Sequence, residues 1–308
     1  MIRRVCAWLF PTFELLDVTG PLGVFATANR LAESSGEPRP YALELVAERA
    51  GPVASSAGIE LVAARPRASV SELHTLLLPG GVDLGEPLRT TALLWLRACA
   101  VRAERVVSVC TGARILAAAG LLDGCRATTH WESCARLAAE HPAVQVEEDV
   151  LFVHAGKYWT SAGICAGIDL ALALVEQDLG RRQALAVARE LVVAFRRSGG
   201  QRQYSLQLEA QAQVAPDLRE LVDWIATHLE QDLSPEVLAS RAGMSERHLR
   251  RLFRAELHTT PAGHVEALRV EAARRLLATG VRELERVASA VGFGSTERMR
   301  RALRRHGG

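Results

Sequence analysis

The sequence predicts two domains: a doubly wound α/β domain, followed by an all-α domain with two helix-turn-helix units. The chain has 308 residues, more than one hydrophobic core usually serves. From Val5 to about Val175, short apolar runs alternate with helical patterns, which is typical of a parallel sheet covered by helices. From Asp217 onward the pattern is helical throughout. The change of pattern predicts a change of domain.

Six apolar runs in the first domain have the length and composition of strands. They are Val5–Leu9, Tyr41–Ala47, Thr75–Leu78, Arg105–Val109, Arg126–Thr128 and Leu151–Ala155. Helical patterns between them cover Leu22–Leu31, Thr91–Ala103, Ala113–Ala119 and Cys134–Glu140. Open sheets of this kind bind ligands at the carboxyl ends of their strands. A ligand site is therefore expected at Leu78–Gly81 and Val109–Gly112.

Composition also predicts where the first domain ends. Helical patterns run to Phe195, and a Ser-Gly-Gly sequence at 198–200 stops them. The polar, glutamine-rich stretch 201–216 predicts an interdomain linker. We therefore assign residues 1–200 to the α/β domain and residues 217–308 to the helical domain.

Residues 235–256 have the spacing of a helix-turn-helix unit. Ser234 is expected to cap the first helix, and Ala239 is small enough for two helices to cross there. Gly243 turns the chain, and Leu249 anchors the second helix. The exposed face of that helix has side chains able to reach phosphates and base edges in the major groove. These candidate DNA contacts are Ser245, Arg247, His248, Arg250, Arg251 and Arg254.

A second unit, at about 284–305, repeats the pattern about 50 residues later with Ala288, Gly292 and Met299. Its candidate DNA contacts are Ser295, Thr296, Arg298, Arg300, Arg301 and Arg304, with Arg305 on the same helix. Between the units, Pro261–Thr279 predicts one long helix. Its inward residues are expected to be Val265, Leu268, Ala272 and Leu276. Such a connector would hold two reading helices about 34 Å apart, one turn of DNA.

Charge is divided unequally along the chain. Residues 1–208 contain 21 basic and 21 acidic side chains, whereas residues 240–308 contain 15 arginines against 7 glutamates, a net charge of +8. A neutral body with a basic end suits a chain whose end meets a polyanion. Solvated, arginine-rich helix faces are the alternative explanation of the charge alone.

Several function classes are not expected. The apolar segment Ile164–Val175 is interrupted by Asp169 and is too short to span a membrane. Met1–Phe10 lacks the features of a secretory signal peptide. The six cysteines form no Cys-x-x-Cys pair and no His/Cys cluster at zinc spacing. We expect a cytoplasmic protein without a disulfide framework, metal or cofactor.

Cys110 is the candidate reactive group of the α/β domain. It follows an apolar strand and precedes a helix, which places its sulfur on a sharp turn at the positive end of a helix dipole. That position predicts a lowered pKa and a stabilised thiolate. The alternative is a small residue that fills a tight turn. His130 could act as a base, or it could be an ordinary hydrogen-bonded histidine.

The helical domain resembles a known family. The segments LSPEVLASRAGMSERHLRRLFRAELHTTPAGHVEALRVEAARRLL and LERVASAVGFGSTERMRRALRRHGG resemble the AraC/XylS DNA-binding domain over essentially its full length. Met299 and Leu303 stand where that family usually has phenylalanines. The sequence also stops at Gly308, before the usual Pro-x-x-Tyr-Arg ending. These departures predict a weakened second unit.

The first domain is similar to the PfpI-type, class I glutamine amidotransferase-like domain over roughly residues 3 to 180. The motifs are FELLDVTGP, LLLPGG, SVCTGARILAAAGLLDGCRATTHW and YWTSAGICAGIDLALALV. The resemblance implies a flavodoxin-like fold and one pocket lined by Asp17, Gly80, Gly81, Cys110, Thr111 and His130. In that pocket the carboxylate lies against the cysteine, and the two glycine amides form an anion-binding nest. Thr111 stands where many hydrolases of the superfamily have histidine, which argues against hydrolysis.

Together these features predict a regulator that binds double-stranded DNA and responds to a small-molecule effector. In this interpretation Asp17, Cys110 and His130 are vestigial catalytic residues. The rival hypothesis is a cysteine-dependent hydratase or hydrolase, similar to isonitrile hydratase, with a DNA-binding appendage. A structural nucleoid protein would explain neither the pocket nor the two spaced reading helices. The resemblance also implies a homodimer.

Overall fold

The computed structural model describes residues 2–193, 216–278 and 283–306. Contacts within the chain divide it into two compact units, Met1–Phe195 and Arg196–Gly308. The Ser-Gly-Gly stop at 198–200 lies outside the described residues, as do residues 201–215 of the linker expected at 201–216. Within the described ranges, no helix combines the length and apolar character needed to cross a bilayer.

The first unit is built on a seven-stranded sheet. The described strands of this unit are, in chain order, β1 Arg3–Trp8, β2 Tyr41–Ala47, β3 Gly51–Ala54, β4 Glu60–Ala63, β5 Arg65–Pro66, β6 Thr75–Leu78, β7 Arg105–Val109, β8 Arg126–Ala127, β9 Gln145–Val146, β10 Phe152–Ala155 and β11 Tyr158–Ser161. Strands β3 and β4 form a separate two-stranded sheet, as do β8 and β9. The sheet order is β10-β11-β7-β6-β1-β2-β5, parallel apart from the β10–β11 hairpin. The strand order reverses between β1 and β6, which is where a flavodoxin-like sheet opens a ligand crevice.

Helices cover this sheet because its central strands are apolar over most of their length. The helices are α1 Leu15–Ser34, α2 Thr90–Arg102, α3 Gly112–Ala118, α4 Trp131–Glu140, α5 Cys165–Leu179 and α6 Arg181–Glu190. Residues Val5 to Phe10, which include most of β1, have no exposed surface, as expected for a strand covered on both faces. Helices α1, α5 and α6 pack against one another. The predicted α/β fold class is confirmed.

All six predicted strands are present, and β2, β6 and β7 have the predicted bounds. Five of the described strands were not predicted: β3, β4, β5, β9 and β11. Of these, β11 lies within the large sheet, between β10 and β7. It forms a hairpin with β10 through a turn at Gly156, whose φ is 62°. Apolar runs on both sides of a Gly-Lys pair are a recognisable hairpin signal. The omission matters because β11 contacts the turn that holds Cys110.

Helix α1 begins at Leu15, seven residues before the predicted start at Leu22. Pro21 suggests a helix boundary, since proline has no N–H to donate to the carbonyl four residues earlier. The helix nevertheless continues through it because Val18 and Phe25, on either side, are both packed into the core. Asp17 consequently lies in the first turn of a helix.

The second unit contains six described helices: α7 Pro216–Thr227, α8 Pro235–Arg241, α9 Glu246–Leu257, α10 Pro261–Ala278, α11 Leu284–Ala290 and α12 Thr296–Arg305. The pairs α8–α9 and α11–α12 are the two expected helix-turn-helix units. Gly243 and Gly292 turn the chain with φ values of 64° and 77°. The predicted anchors Leu249 and Met299 are completely buried. The all-α part of the predicted fold class is thus confirmed.

Each helix-turn-helix unit has its own apolar cluster. The first forms around Leu238 and Phe253, and the second around Val287 and Ala302. Helix α10 contributes to both, and its predicted inward residues are all buried or half-buried: Val265, Leu268, Ala272 and Leu276. The prediction of a single stripe of inward-facing residues on α10 was incomplete, however. Val270 and Ala273 are more deeply buried, because the helix is packed from two sides.

Serine caps begin both predicted reading helices. The Ser245 hydroxyl accepts a hydrogen bond from the His248 N–H, and the Ser295 hydroxyl accepts one from the Arg298 N–H, both at 3.3 Å. The expected cap at Ser234 is wrong: in the described structure its side chain makes no cap bond at the start of α8. Its own N–H instead donates to Asp232 Oδ1 at 2.9 Å.

Candidate functional site

Cys110 lies on the turn between β7 and α3, at the carboxyl edge of the sheet. Its φ is 55°, a left-handed conformation that is strained for a residue with a side chain. The Cys110 N–H donates to the Ser161 carbonyl of β11 at 3.0 Å. Thr129 Oγ1 donates to the Cys110 carbonyl at 2.7 Å. The turn is therefore held from two sides, and the position of the sulfur is defined.

Two glycines allow the turn after β6 to touch the turn after β7. A β-carbon on Gly80 would lie 2.6 Å from Thr111 Oγ1, and one on Gly112 would lie 2.6 Å from the Leu78 carbonyl oxygen. Neither distance leaves room for a methyl group. The sequence places glycine at both positions because the backbones themselves are in contact.

Asp17 is completely buried beneath this turn. Its Oδ2 accepts a hydrogen bond from the Gly80 N–H at 2.9 Å, and its Oδ1 accepts one from the Ile164 N–H at 3.0 Å. Burial raises the pKa of the Asp17 carboxyl to about 7, although the two amide donors act in the opposite direction. Asp17 therefore changes charge near neutral pH.

The expected stabilised thiolate at Cys110 is wrong. Burial, followed by the negative charge of Asp17, raises the pKa of the Cys110 thiol to about 12. The hydrogen bond from the Thr111 backbone lowers that pKa but does not offset the two larger effects. The thiol is therefore the resting form, and the turn at the start of α3 does not by itself produce a nucleophile.

The anion-binding nest implied by the resemblance is also not open. The Gly80 N–H donates to Asp17, and the Gly81 N–H donates to Thr111 Oγ1 at 2.9 Å. Thr111 Oγ1 in turn donates to the Gly81 carbonyl at 3.2 Å. The two amides that would cradle an anion are thus paired inside the protein. Four of the predicted residues, Asp17, Gly80, Gly81 and Thr111, are joined directly by these bonds.

His130 sits at the start of α4, next to Thr129. Its ring packs against Trp131 at 5.6 Å between centroids, and its Nδ1 lies 3.7 Å from Glu132 Oε2, longer than a hydrogen bond. His130 directly follows Thr129, whose hydroxyl bonds the Cys110 carbonyl, but the described contacts of the His130 ring are with Trp131 and Glu132. A signal for Thr129 was present in the sequence, since it belongs to the motif that also contains His130.

The electrostatic environment of the cysteine is acidic. Besides Asp17, the charges of Glu14 and Glu132 raise the pKa of Cys110, so both carboxylates act on the same site. The Glu14 carboxylate also accepts a hydrogen bond from Ser56 Oγ at 3.0 Å. Across the part of the chain that the structure describes, no group of three or more His, Cys, Asp or Glu side chains could hold a metal ion.

Helix α9 carries the first candidate DNA-binding surface. Its buried side contains Leu249 and Phe253, with Leu252 and Leu257 partly buried beside them. The predicted contacts are all exposed: Ser245, Arg247, His248, Arg250, Arg251 and Arg254. His248 Nδ1 lies 3.2 Å from Arg251 Nη2, which aligns two of these side chains. The face is strongly positive and unobstructed by the core behind it.

Helix α12 carries a second surface of similar design. Ser295, Arg298, Arg300, Arg301 and Arg304 are exposed, and Thr296 is half-buried. Some of the charge is held within the unit: Arg301 lies 3.8 Å from Glu297, and Arg305 Nη2 donates to Glu266 Oε2 at 2.6 Å. Arg305 therefore fastens α12 to α10.

The fold and these surfaces define a two-domain protein: a flavodoxin-like α/β domain with a buried aspartate beside a half-buried cysteine, joined to a helical domain with two basic helix-turn-helix units. Residues 3–177 match the DJ-1/PfpI family, and residues 238–308 match a helix-turn-helix domain. The chain belongs to the DJ-1/PfpI family and carries a C-terminal helix-turn-helix domain of the AraC type. Both predicted resemblances are confirmed.

Relatives of two kinds are similar to this chain, one over nearly its full length and one over about two thirds of it. The HTH-type transcriptional regulator CdhR of Pseudomonas aeruginosa is 32% identical over 302 residues, covering 96% of this chain and 86% of the relative. An isonitrile hydratase of Pseudomonas putida is 36% identical over 195 residues, covering 63% of this chain and 80% of the enzyme. A solved AraC family transcriptional regulator from Pseudomonas putida superposes with a TM-score of 0.54 at 27% identity, covering 61% of this chain and 99% of that one.

Proposed function

We propose that this protein is a sequence-specific, DNA-binding transcription regulator whose α/β domain binds a small-molecule effector. The exposed arginine face of α9 carries the proposal. It combines a capped helix start with Arg247, Arg250, Arg251 and Arg254 on the side away from the core. A helix of this kind places donors in the major groove while its cap and core hold it rigid.

The effector site is proposed at the pocket formed by Asp17, Gly80, Gly81, Cys110, Thr111 and His130. Because the glycine amides are already bonded within the protein, an anionic ligand would lack its expected donors. The acidic groups around Cys110 instead favour a neutral or cationic ligand. The homodimer implied by the resemblance and the cytoplasmic location expected from the sequence belong to the same proposal, as does the absence of a cofactor.

A second candidate function is a cysteine-dependent hydratase. It is favoured by the buried Asp17 next to Cys110 and by the similarity to isonitrile hydratase. It is disfavoured by the raised pKa of the Cys110 thiol. In this alternative, a substrate would have to bring the thiol and carboxylate into a reactive state that the resting pocket does not provide.

DNA binding is tested by titrating the full chain with duplex DNA at several salt concentrations. Because arginines on two helices would neutralise phosphates, the logarithm of affinity should fall linearly with the logarithm of salt concentration, with a slope of about 0.9 per phosphate. A flat response would contradict DNA recognition by this domain. A duplex of selected sequence that binds no better than random DNA would reduce the proposal to non-specific binding.

The effector is tested by a thermal-shift screen of wild type and Cys110→Ala against small metabolites, with each stabilising compound followed for turnover. The regulator proposal expects a compound that stabilises both proteins and is recovered unchanged. Conversion by the wild type alone would establish the hydratase instead.

A further inference from the structure

Arg269, in the middle of α10, reaches the turn that precedes the first helix-turn-helix unit. Its Nε donates to the Leu229 carbonyl at 3.0 Å, and its Nη2 donates to the Gln231 carbonyl at 2.8 Å. Both carbonyls lie in the turn between α7 and α8. The guanidinium is half-buried, and burial lowers the pKa of Arg269. A charge removed from water in this way needs the two acceptors it has found.

The turn of the second helix-turn-helix unit, at Gly292, lies against the same two groups. A β-carbon on Gly292 would lie 1.9 Å from the Leu229 carbonyl oxygen and within 2.8 Å of both Arg269 nitrogens. No side chain fits there. The backbone of the second unit therefore touches the Arg269 guanidinium and the Leu229 carbonyl directly. We call this three-part contact of Arg269, Gly292 and the 229–231 turn the brace.

The brace joins the turn of the second helix-turn-helix unit to the turn just before the first, and α10 is the helix that these two units share. Their apolar clusters are separate, and α10, at 18 residues, is about 27 Å long. A helix shared by two separate clusters positions each helix-turn-helix unit only through the side chains that pack that unit onto the helix. The end of α12 is already tied to α10 through Arg305 and Glu266. A polar contact near the middle of α10 therefore restricts how the second helix-turn-helix unit can tilt against the first helix-turn-helix unit.

We propose that the brace sets the spacing between the two DNA segments, here called boxes, that α9 and α12 contact in one binding site. This inference rests on the proposed DNA-binding function. Adding one base pair between the boxes moves the second by about 3.4 Å and rotates it by about 35° around the duplex. With the brace in place, α9 and α12 can both contact the shifted boxes only at a cost in binding free energy. Without the brace, the two helices can adjust to the new spacing.

Two substitutions remove the brace in different ways. Arg269→Lys keeps the positive charge but loses the planar fork that binds two carbonyls. Gly292→Ala inserts a methyl group into the Leu229 carbonyl. Gly243→Ala is the matched control, because Gly243 holds the equivalent turn of the first unit in the same left-handed conformation, with no atom near the added carbon. The control shares the backbone strain and lacks the collision.

The experiment begins with selection of bound duplexes from a randomised DNA pool by the full wild-type chain. The selected two-box site is then rebuilt with one or two base pairs inserted or removed between the boxes, and also with the second box randomised. Affinities of all four proteins are measured on each duplex. For the wild type, a change of one base pair should weaken binding by about tenfold or more, the size of effect that one mismatched base pair produces.

With Arg269→Lys and Gly292→Ala, the penalty for altered spacing should fall to about twofold, while affinity for the duplex with one intact box stays at the wild-type value. Gly243→Ala should keep the wild-type penalty. Retention of that penalty by Arg269→Lys would overturn the proposal even if Gly292→Ala fails to fold. Selection of only one box by the wild type would overturn it as well, although DNA recognition would stand. Failure to select any sequence would refute the proposed function and the inference with it.

Discussion

The reading helices and the cysteine turn are both polar, but they use their polar groups in opposite ways. On α9 and α12 the predicted arginines are exposed, and most extend from the side opposite the core. At the cysteine turn, the Gly80 and Gly81 amides are bonded to Asp17 and Thr111 inside the protein. The first surface is built to meet an external charge, whereas the second satisfies its own polar groups and leaves a neutral thiol.

The largest expected effect is the loss of DNA binding when exposed arginines are removed from α9. Replacing Arg250 and Arg251 together by alanine should weaken binding to a selected duplex by about 100-fold or more, since each lost base or phosphate contact costs about 1–3 kcal/mol. The measurement is fluorescence anisotropy with labelled duplex. As control, Arg182→Ala with Arg189→Ala removes the same charge from exposed positions on α6 and should change affinity little. Equal losses in both double variants would show that only total charge matters.

The sequence predicted the basic face more accurately than the pocket, for a physical reason. A helix repeats every 3.6 residues, so burial of Leu249 and Phe253 already determines which neighbours face water. The bonds of the cysteine turn join residues far apart in sequence, such as Asp17 to Gly80 and to Ile164. No local pattern reports such partners, so the closed nest and the raised thiol pKa could not be predicted.

Close backbone contact at the cysteine turn predicts the second effect. Gly112→Ala should lower the free energy of unfolding by about 2–3 kcal/mol, because the methyl group would lie 2.6 Å from the Leu78 carbonyl oxygen. Gly23→Ala is the matched control: it also lies within a helix, but nothing is near its added carbon. There alanine should stabilise the helix by up to about 1 kcal/mol. Thermal unfolding measures both, and a tolerated Gly112→Ala would contradict the close contact.

The third effect concerns the charge balance between Asp17 and Cys110. Above pH 7 the Asp17 carboxyl is ionised, and its charge raises the pKa of the thiol. Asp17→Asn should therefore lower the pKa of the Cys110 thiol and speed its alkylation by iodoacetamide at pH 8.5, by about tenfold. At pH 5.5, where wild-type Asp17 is protonated, the two rates should converge.

Site-resolved mass spectrometry separates this effect from unfolding. Cys125 is half-buried and takes no part in the Asp17 hydrogen bonds, so it should react equally in both proteins, whereas Cys6 is completely buried and should remain unmodified while the fold is intact. A rate ratio that does not change with pH would show that Asp17 acts on Cys110 through packing and not through its charge.

The smallest effect compares two serines at the starts of successive helices in the DNA-binding unit. Ser245 bonds the His248 N–H, and Ser234 makes no such bond in the described structure. Ser245→Ala should destabilise the helical domain by about 1 kcal/mol, and Ser234→Ala by less than about 0.5 kcal/mol. Urea unfolding followed by circular dichroism separates these values from any change in DNA contact. The Ser234→Ala loss should be small because Pro235 already provides a favourable first helical residue without the Ser234 hydroxyl. Equal losses in the two variants would mean that Ser234 caps α8 as the sequence predicted, against the geometry of the structure.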